Sequence, residues 1–186
     1  RQMCIRDRPG TAFHTRARLG QLTMPDEELS ATLFNFTQDR MESAGLSAYE
    51  ISNHAKPGCE SQHNLIYWRG QGYGGIGPGA HGRLNLTNGW VASEAIRLPE
   101  KYLEAVQIQG HGLTPLTPIN ALERAQEKLM MGLRLREGVA LPEQGVDVKG
   151  VQEMADLGFL RFENNHIALT KTGWPLLNAV LEKLIS

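Results

Sequence analysis

The chain has little cysteine, no long apolar run and no excess of charge of either sign. Its two cysteines, Cys4 and Cys59, cannot build a disulfide framework, and they lie too far apart for a local C-x-x-C redox or zinc motif. A structural metal site is therefore not expected. No run approaches the roughly 20 apolar residues that span a bilayer, and the N-terminus lacks the apolar centre of a secretory signal, so no transmembrane segment is expected and the cytoplasm is the expected location. Nineteen Lys and Arg against 20 Asp and Glu leave a formal charge of −1, which argues against binding dominated by a phosphate backbone, although a local basic patch stays open. With 186 residues, 41% of them hydrophobic, the chain can bury one ordinary core, or a core with a small appended domain.

The first eight residues, "RQMCIRDR", have no periodicity, no cap and no continuity with the sequence from Pro9 onward. They can be written in codons as tandem copies of a transposase adaptor used in sequencing libraries, so residues 1–8 are expected to be a translated artefact and stand outside the fold. On that expectation the natural sequence enters at Pro9 and the chain is the C-terminal piece of something longer.

What the chain does have is punctuated helical and strand pattern. In "TMPDEELSATLFNFTQDRMESAG", Thr23 is the expected cap, Pro25 and acids occupy the first turn, and Leu29, Leu33, Phe36 and Met41 recur near helical spacing before Gly45. "SAYEISN" alternates Tyr49 and Ile51 and predicts a strand, making half of a β/α repeat. "GGIGPGA" predicts a further buried strand, stripped of side chains so that a ligand or a second backbone can approach. "LPEKYLEAVQIQG" predicts a short helix and "GHGLTPLTP" a punctuated connection, where the domain boundary is placed: 9–112 before it and 113–186 after. From there Thr117-Pro118 predicts a cap with proline at the first helical position, followed by an apolar face of Leu122, Ala125, Leu129 and Leu133. A helix over 147–157, a hairpin turning at Asn164-Asn165 and a last amphipathic helix complete a pattern that resembles a winged helix.

The densest stretch is "QHNLIYWRGQGYGGIGPGAHGR", with two histidines, three aromatic residues and seven glycines. In "HNLIY" a neutral imidazole can ligate haem iron, Asn64 can bond a propionate or fix a neighbour, and Tyr67 joins an aromatic face to a phenolic oxygen. By chemistry alone a structural role for this group is as good a reading. His54 and His81 are lone histidines better read as structural, Glu50 is better read as a hydrogen-bonding partner than a base, and Trp68 with Arg69 could offer a ring and a propionate partner.

"YEISNHAKPG", "QHNLIYWRG" and "GYGGIGPGAHGR" together closely resemble radical S-adenosylmethionine proteins related to oxygen-independent coproporphyrinogen III oxidase, on the branch of HemW-type haem chaperones. The H-N-x-x-Y pattern separates that branch from the oxidase, and His63, Asn64 and Tyr67 match it in full. The resemblance runs from Pro9 to Ser186. It implies an α/β fold: the C-terminal part of a (β/α) partial barrel, then a mainly helical, winged-helix-like C-terminal domain. It implies haem bound by His63, Asn64 and Tyr67, with iron ligation by His63 or Tyr67, and S-adenosylmethionine beside Gly75, Gly77, Gly79, Ala80 and His81 on the last barrel strand. It also implies a [4Fe-4S] cluster on a C-x-x-x-C-x-x-C loop, which this chain lacks and which is expected upstream. The partners implied are haem and haem-requiring acceptor proteins.

No catalytic residue is assigned. The complete H-N-x-x-Y favours a haem chaperone over a coproporphyrinogen oxidase-like radical enzyme of porphyrin biosynthesis. A winged-helix nucleic-acid module is the third reading, weakened because "KGVQEMADLG" sets one Lys against Glu153 and Asp156.

Overall fold

In a computed structural model the described residues are 11–22 and 25–185, so residues 1–8 and the expected cap Thr23 lie outside them. The chain divides into two compact units, Arg1–Cys59 and Glu60–Ser186.

In the first unit, α1 (Ala12–Arg18) is capped by Thr11, whose hydroxyl accepts from His14 N at 3.1 Å. Helix α2 (Glu27–Ser43) starts one residue after Pro25-Asp26, where the Asp26 carboxylate accepts from Leu29 N at 2.8 Å and satisfies an orphan donor of the first turn. The apolar stripe is present, yet Leu29, Leu33 and Phe36 remain 48%, 49% and 61% exposed.

The segment read as one strand is a hairpin instead: β1 (Ser47–Glu50) pairs antiparallel with β2 (Asn53–Ala55). The reason is Glu50, which is fully buried and whose carboxylate accepts from Ser52 N at 3.1 Å and from Asn53 Nδ2, closing a tight turn where continuous strand was expected. Glu50 is thus a hydrogen-bonding partner, and His54 is structural, its Nε2 lying 3.0 Å from Gln38 Oε1 on α2.

The second unit opens with α3 (Gln62–Trp68), followed by a glycine-rich loop and a three-stranded antiparallel sheet, β3 (His81–Leu86), β4 (Gly89–Glu94) and β5 (Thr117–Pro118), in that order. "GGIGPGA" is the loop, not a strand. Ile76, its one large side chain, is 96% exposed, and a Cβ at Gly75 would collide with the backbone of His81. The second backbone for which the missing side chains leave room is therefore the chain's own, held by the Tyr73–Arg83 bridge with N–H···O distances of 2.8 and 2.9 Å.

Helix α4 (Pro99–Gln109) ends on left-handed Gly110 and connects β4 to β5. Thr117-Pro118 does not cap a helix. It forms the edge strand β5, where a proline without N–H is tolerated, and the cap of α5 (Ala121–Gly132) is Asn120. Asn120 Oδ1 accepts from Glu123 N and Glu123 Oε2 accepts from Asn120 N, both at 2.9 Å, a reciprocal capping box stronger than the expected cap.

The remainder is winged: β6 (Val139–Ala140), α6 (Val148–Asp156), β7 (Leu160–Glu163), β8 (His166–Leu169), a 3-10 turn (Trp174–Leu176) and α7 (Leu177–Leu184), with sheet order β6-β8-β7. Asn164 and Asn165 both take positive φ, 51° and 59°, in the two-residue turn between β7 and β8, as a right-twisted hairpin requires. Leu129, Leu133, Leu135, Val151, Ile167, Val180 and Leu184 are 0–2% exposed and form the core, each contributing about 1.5–3 kcal/mol of burial.

Candidate functional site

Helix α3 presents the H-N-x-x-Y residues. Ser61 caps it, its hydroxyl accepting from Asn64 N at 3.4 Å, and Leu65, 6% exposed, is its buried residue. At about 100° per residue, His63 and Tyr67 lie one turn apart on the side away from Leu65. Their rings meet edge to face, 4.9 Å between centroids at 86°. Tyr67 in turn meets Tyr73 at 4.6 Å and 75°. His63 is exposed, while Asn64, Tyr67 and Tyr73 are half-buried. The structure therefore brings His63 and Tyr67 together and adds Tyr73, the third aromatic residue of the run, while Asn64 lies about 100° around the helix from His63.

Trp68 and Arg69 do not join that face. Trp68 is turned about 140° from His63 around the helix. Arg69 is engaged by Glu137, with Nε to Oε1 at 2.9 Å and Nη2 to Oε2 at 3.2 Å, and this hydrogen-bonded pair holds its pKa above the ordinary guanidinium value against the opposing effect of burial. A propionate would have to displace a carboxylate already in place.

A charged cluster fixes the end of α3. Arg124 of α5, 8% exposed, donates from Nη2 to Gly70 O, sits 3.8 Å above the Trp90 ring of β4 and donates from Nη1 to Glu127 Oε2 at 3.2 Å. Glu127 also accepts from Arg83 of β3, Oε1 receiving Nη2 at 2.7 Å and Nε at 2.9 Å. That hydrogen-bonded contact raises the Arg83 pKa above its ordinary value. One carboxylate between two guanidiniums thus ties α5 to the sheet, and Arg124 ties it to α3.

Of the residues expected around S-adenosylmethionine, Gly75, Gly77, Gly79 and Ala80 lie in the loop before β3 and His81 opens that strand. The place of a Gly75 side chain is filled by the His81 backbone, whereas a Cβ at Gly77 (φ +99°) would meet nothing within 4 Å and one at Gly79 (φ +70°) would meet only Arg97. Ala80 O accepts from Ala95 N at 2.8 Å, and His81, with a 53% exposed side chain, is in cross-strand register with Glu94 at 4.0 Å. Gly77 and Gly79 leave space for a ligand; Gly75 does not. For a [4Fe-4S] cluster the chain's two cysteines are fewer than the three thiolates such a site needs, and no cluster of metal-ligating side chains occurs among the described residues.

Residues 119–176 match the HemN C-terminal domain. "Heme chaperone HemW" of Mycobacterium tuberculosis is 33% identical over 178 residues, covering 95% of this chain and 44% of that protein. "Radical S-adenosyl methionine domain-containing protein 1, mitochondrial" of Bos taurus is 31% identical over 193 residues, again covering 95% of this chain and 44% of the other. Among solved structures, the Escherichia coli protein described as "Coproporphyrinogen III oxidase (HemN) … is a Radical SAM enzyme" superposes with a TM-score of 0.63 at 13% identity, over 86% of this chain and 41% of that one, a likeness of fold. The chain spans less than half the length of each of these relatives. With sequence similarity along nearly its whole length, a HemN C-terminal domain and a HemN-like α/β fold, the chain belongs to the HemW-like radical S-adenosylmethionine family.

Proposed function

We propose that this chain carries the haem-handling face of a haem chaperone, which binds haem on α3 and passes it to haem-requiring acceptor proteins. The observation that carries this is the His63–Tyr67 pair, an exposed imidazole and a half-buried phenol in edge contact one helical turn apart. Either can ligate ferric iron, and a ring in edge-to-face contact with the imidazole restricts how it can turn. Asn64, next to His63 in the chain, belongs to the same proposal as a hydrogen-bonding group. The exposure suits transfer, since a cargo gripped in a closed pocket would be slow to leave.

S-adenosylmethionine, when bound, would lie against the open side of the loop, with Gly77 and Gly79 leaving room and Ala80 and His81 at its edge; Gly75 would shape the loop rather than touch the ligand. The described helices include none long and apolar enough to cross a membrane, and a cytoplasmic location belongs to the same proposal.

The test is a two-stage haem titration. Wild type should bind one equivalent with a shifted Soret band, and the loaded protein should then yield its haem to apomyoglobin. His63→Ala should alter the Soret position and weaken binding. Failure to bind, or binding identical in wild type, His63→Ala and Tyr67→Phe, would remove the proposal.

A further inference from the structure

Tyr73 lies outside the motif on α3, yet its ring completes a row. His63 meets Tyr67 at 4.9 Å and 86°, and Tyr67 meets Tyr73 at 4.6 Å and 75°. The end of α3 turns the chain back to make the second contact. Gly70 N donates to Tyr67 O at 3.0 Å and Gln71 N donates to Ile66 O at 2.9 Å, the paired bonds of a Schellman motif, and Gly70 takes the left-handed conformation that motif needs, φ 59°. Tyr67 is therefore set between a ring of its own helix and a ring from beyond the helix end.

The position of that outer ring is set by β3. Tyr73 N donates to Arg83 O at 2.8 Å, and Arg83 N donates to Tyr73 O at 2.9 Å. Two glycines let the segments come this close: a Cβ at Gly82 would stand 3.0 Å from Tyr73 O, and one at Gly72 would stand 3.4 Å from Arg83 O. Arg83 is held in turn by its side chain, which donates to Glu127 of α5 at 2.7 Å, and Arg124 of the same helix donates to Gly70 O. The loop from Gly70 to Tyr73 is thus fixed at both ends. Tyr67 has no such anchor of its own on the short helix α3, where Leu65 is the buried residue. A half-buried side chain on a helix has more than one staggered rotamer open to it, and a fixed ring in edge contact favours the one that makes the contact.

We propose that Tyr73 is a positioning residue for the haem-handling face: its anchored ring holds the Tyr67 ring in one rotamer, and Tyr67 in that rotamer restricts the His63 imidazole. The proposal rests on the haem reading of α3 and adds to it a group outside the H-N-x-x-Y pattern. It is the ring that acts, because the contact with Tyr67 is edge to face. Tyr73→Phe should therefore be silent and Tyr73→Leu should not. Both keep the bridge to Arg83, which uses backbone atoms alone.

The first test needs no haem. In the full chain the NMR signals of the His63 ring protons carry a ring-current shift from Tyr67; Tyr73→Leu should move them toward the positions of a free histidine, and Tyr73→Phe should leave them in place. In a haem titration Tyr73→Leu should weaken binding about three- to tenfold and broaden the Soret band, with Tyr73→Phe matching wild type. Tyr73→Met, which fills the space without a rigid ring, replaces Tyr73→Leu in each arm if circular dichroism shows the latter unfolded. A double-mutant cycle separates positioning from general stability: in a Tyr67→Leu background Tyr73→Leu should change haem affinity no further, and effects that simply multiply overturn the proposal. His63 signals unmoved by Tyr73→Leu overturn it as well, as does wild-type haem affinity in Tyr73→Leu where His63→Ala has lost it. Wild-type haem binding by His63→Ala is the distinct failure of the haem reading and removes the proposal with it.

Discussion

Replacing Arg124 by alanine removes a guanidinium that holds three elements at once: the carbonyl of Gly70 at the end of α3, the Trp90 ring of β4 and Glu127 of its own helix. Individually, a hydrogen bond from a charged donor contributes about 1.5–3 kcal/mol and a desolvated cation–π contact up to about 2 kcal/mol. Groups that share one side chain do not add, and the desolvation of the guanidinium offsets part of their sum. Breaking a buried pair by deleting one partner costs about 3–5 kcal/mol, mostly through the charge left behind. Here the charge left behind is Glu127, 22% exposed and still held by Arg83, so the lower end applies and about 3 kcal/mol is expected. With a urea dependence of about 1.5 kcal/mol per molar, the unfolding midpoint should fall by about 2 M. Arg124→Lys keeps the charge but loses the fork and the stacking plane, and should fall between wild type and alanine. Equilibrium urea unfolding read by tryptophan fluorescence decides it. A loss under about 1 kcal/mol for alanine would show that the cluster is incidental to the fold.

Other substitutions probe other parts of the molecule. Leu129→Ala, at a site with 0% exposure, should cost about 2–5 kcal/mol in the same assay. Asn165→Val places a β-branched residue at φ 59° and should cost about 1–2 kcal/mol, read as a lower melting temperature. Glu137→Gln breaks a pair whose side chains are 41% and 55% exposed, so it should cost no more than about 1 kcal/mol, a difference that vanishes in molar salt. Because the folded-state pKa values of Arg69 and Arg83 are raised by hydrogen bonds to ionised Glu137 and Glu127, their contribution is complete from neutral pH up to the ordinary guanidinium value and on the alkaline side is lost only in strong alkali. Stability attributable to these two side chains should therefore be flat through neutral pH, and a midpoint that falls between mildly acidic and mildly basic buffer in wild type but not in Arg69→Gln or Arg83→Gln would contradict it.

The winged part was legible because its signals are local and agree. Leu129 and Leu133 recur at helical spacing and are buried, and Asn164-Asn165 sits between two alternating runs. Thr117-Pro118 misled because a cap followed by proline and a proline on an edge strand look alike in sequence, while Asn120 three residues before Glu123 was the better signal. "SAYEISN" broke into a hairpin through side-chain bonds of Glu50 that no alternation pattern encodes. "GGIGPGA" has no side-chain periodicity to read, and its conformation is set by the backbone of His81. In the candidate site, the His63–Tyr67 contact follows from helical spacing, but Tyr73 and the Arg83–Glu127–Arg124 cluster do not. Arg124 reaches Gly70 across 54 positions and Arg83 reaches Glu127 across 44, distances at which only the folded chain reveals the partner.

The central claim is that haem is held on the His63–Tyr67 face of α3, and the haem dissociation constant of a His63→Ala/Tyr67→Phe double variant tests it most directly. Circular dichroism should show that the variant keeps its fold, since neither side chain is part of the core. Loss of a ligating group and of the phenol beside it should then weaken haem binding by at least about a hundredfold and abolish the ligated Soret band. Wild-type affinity and an unchanged spectrum in the folded double variant would place the haem elsewhere on the protein and contradict the claim.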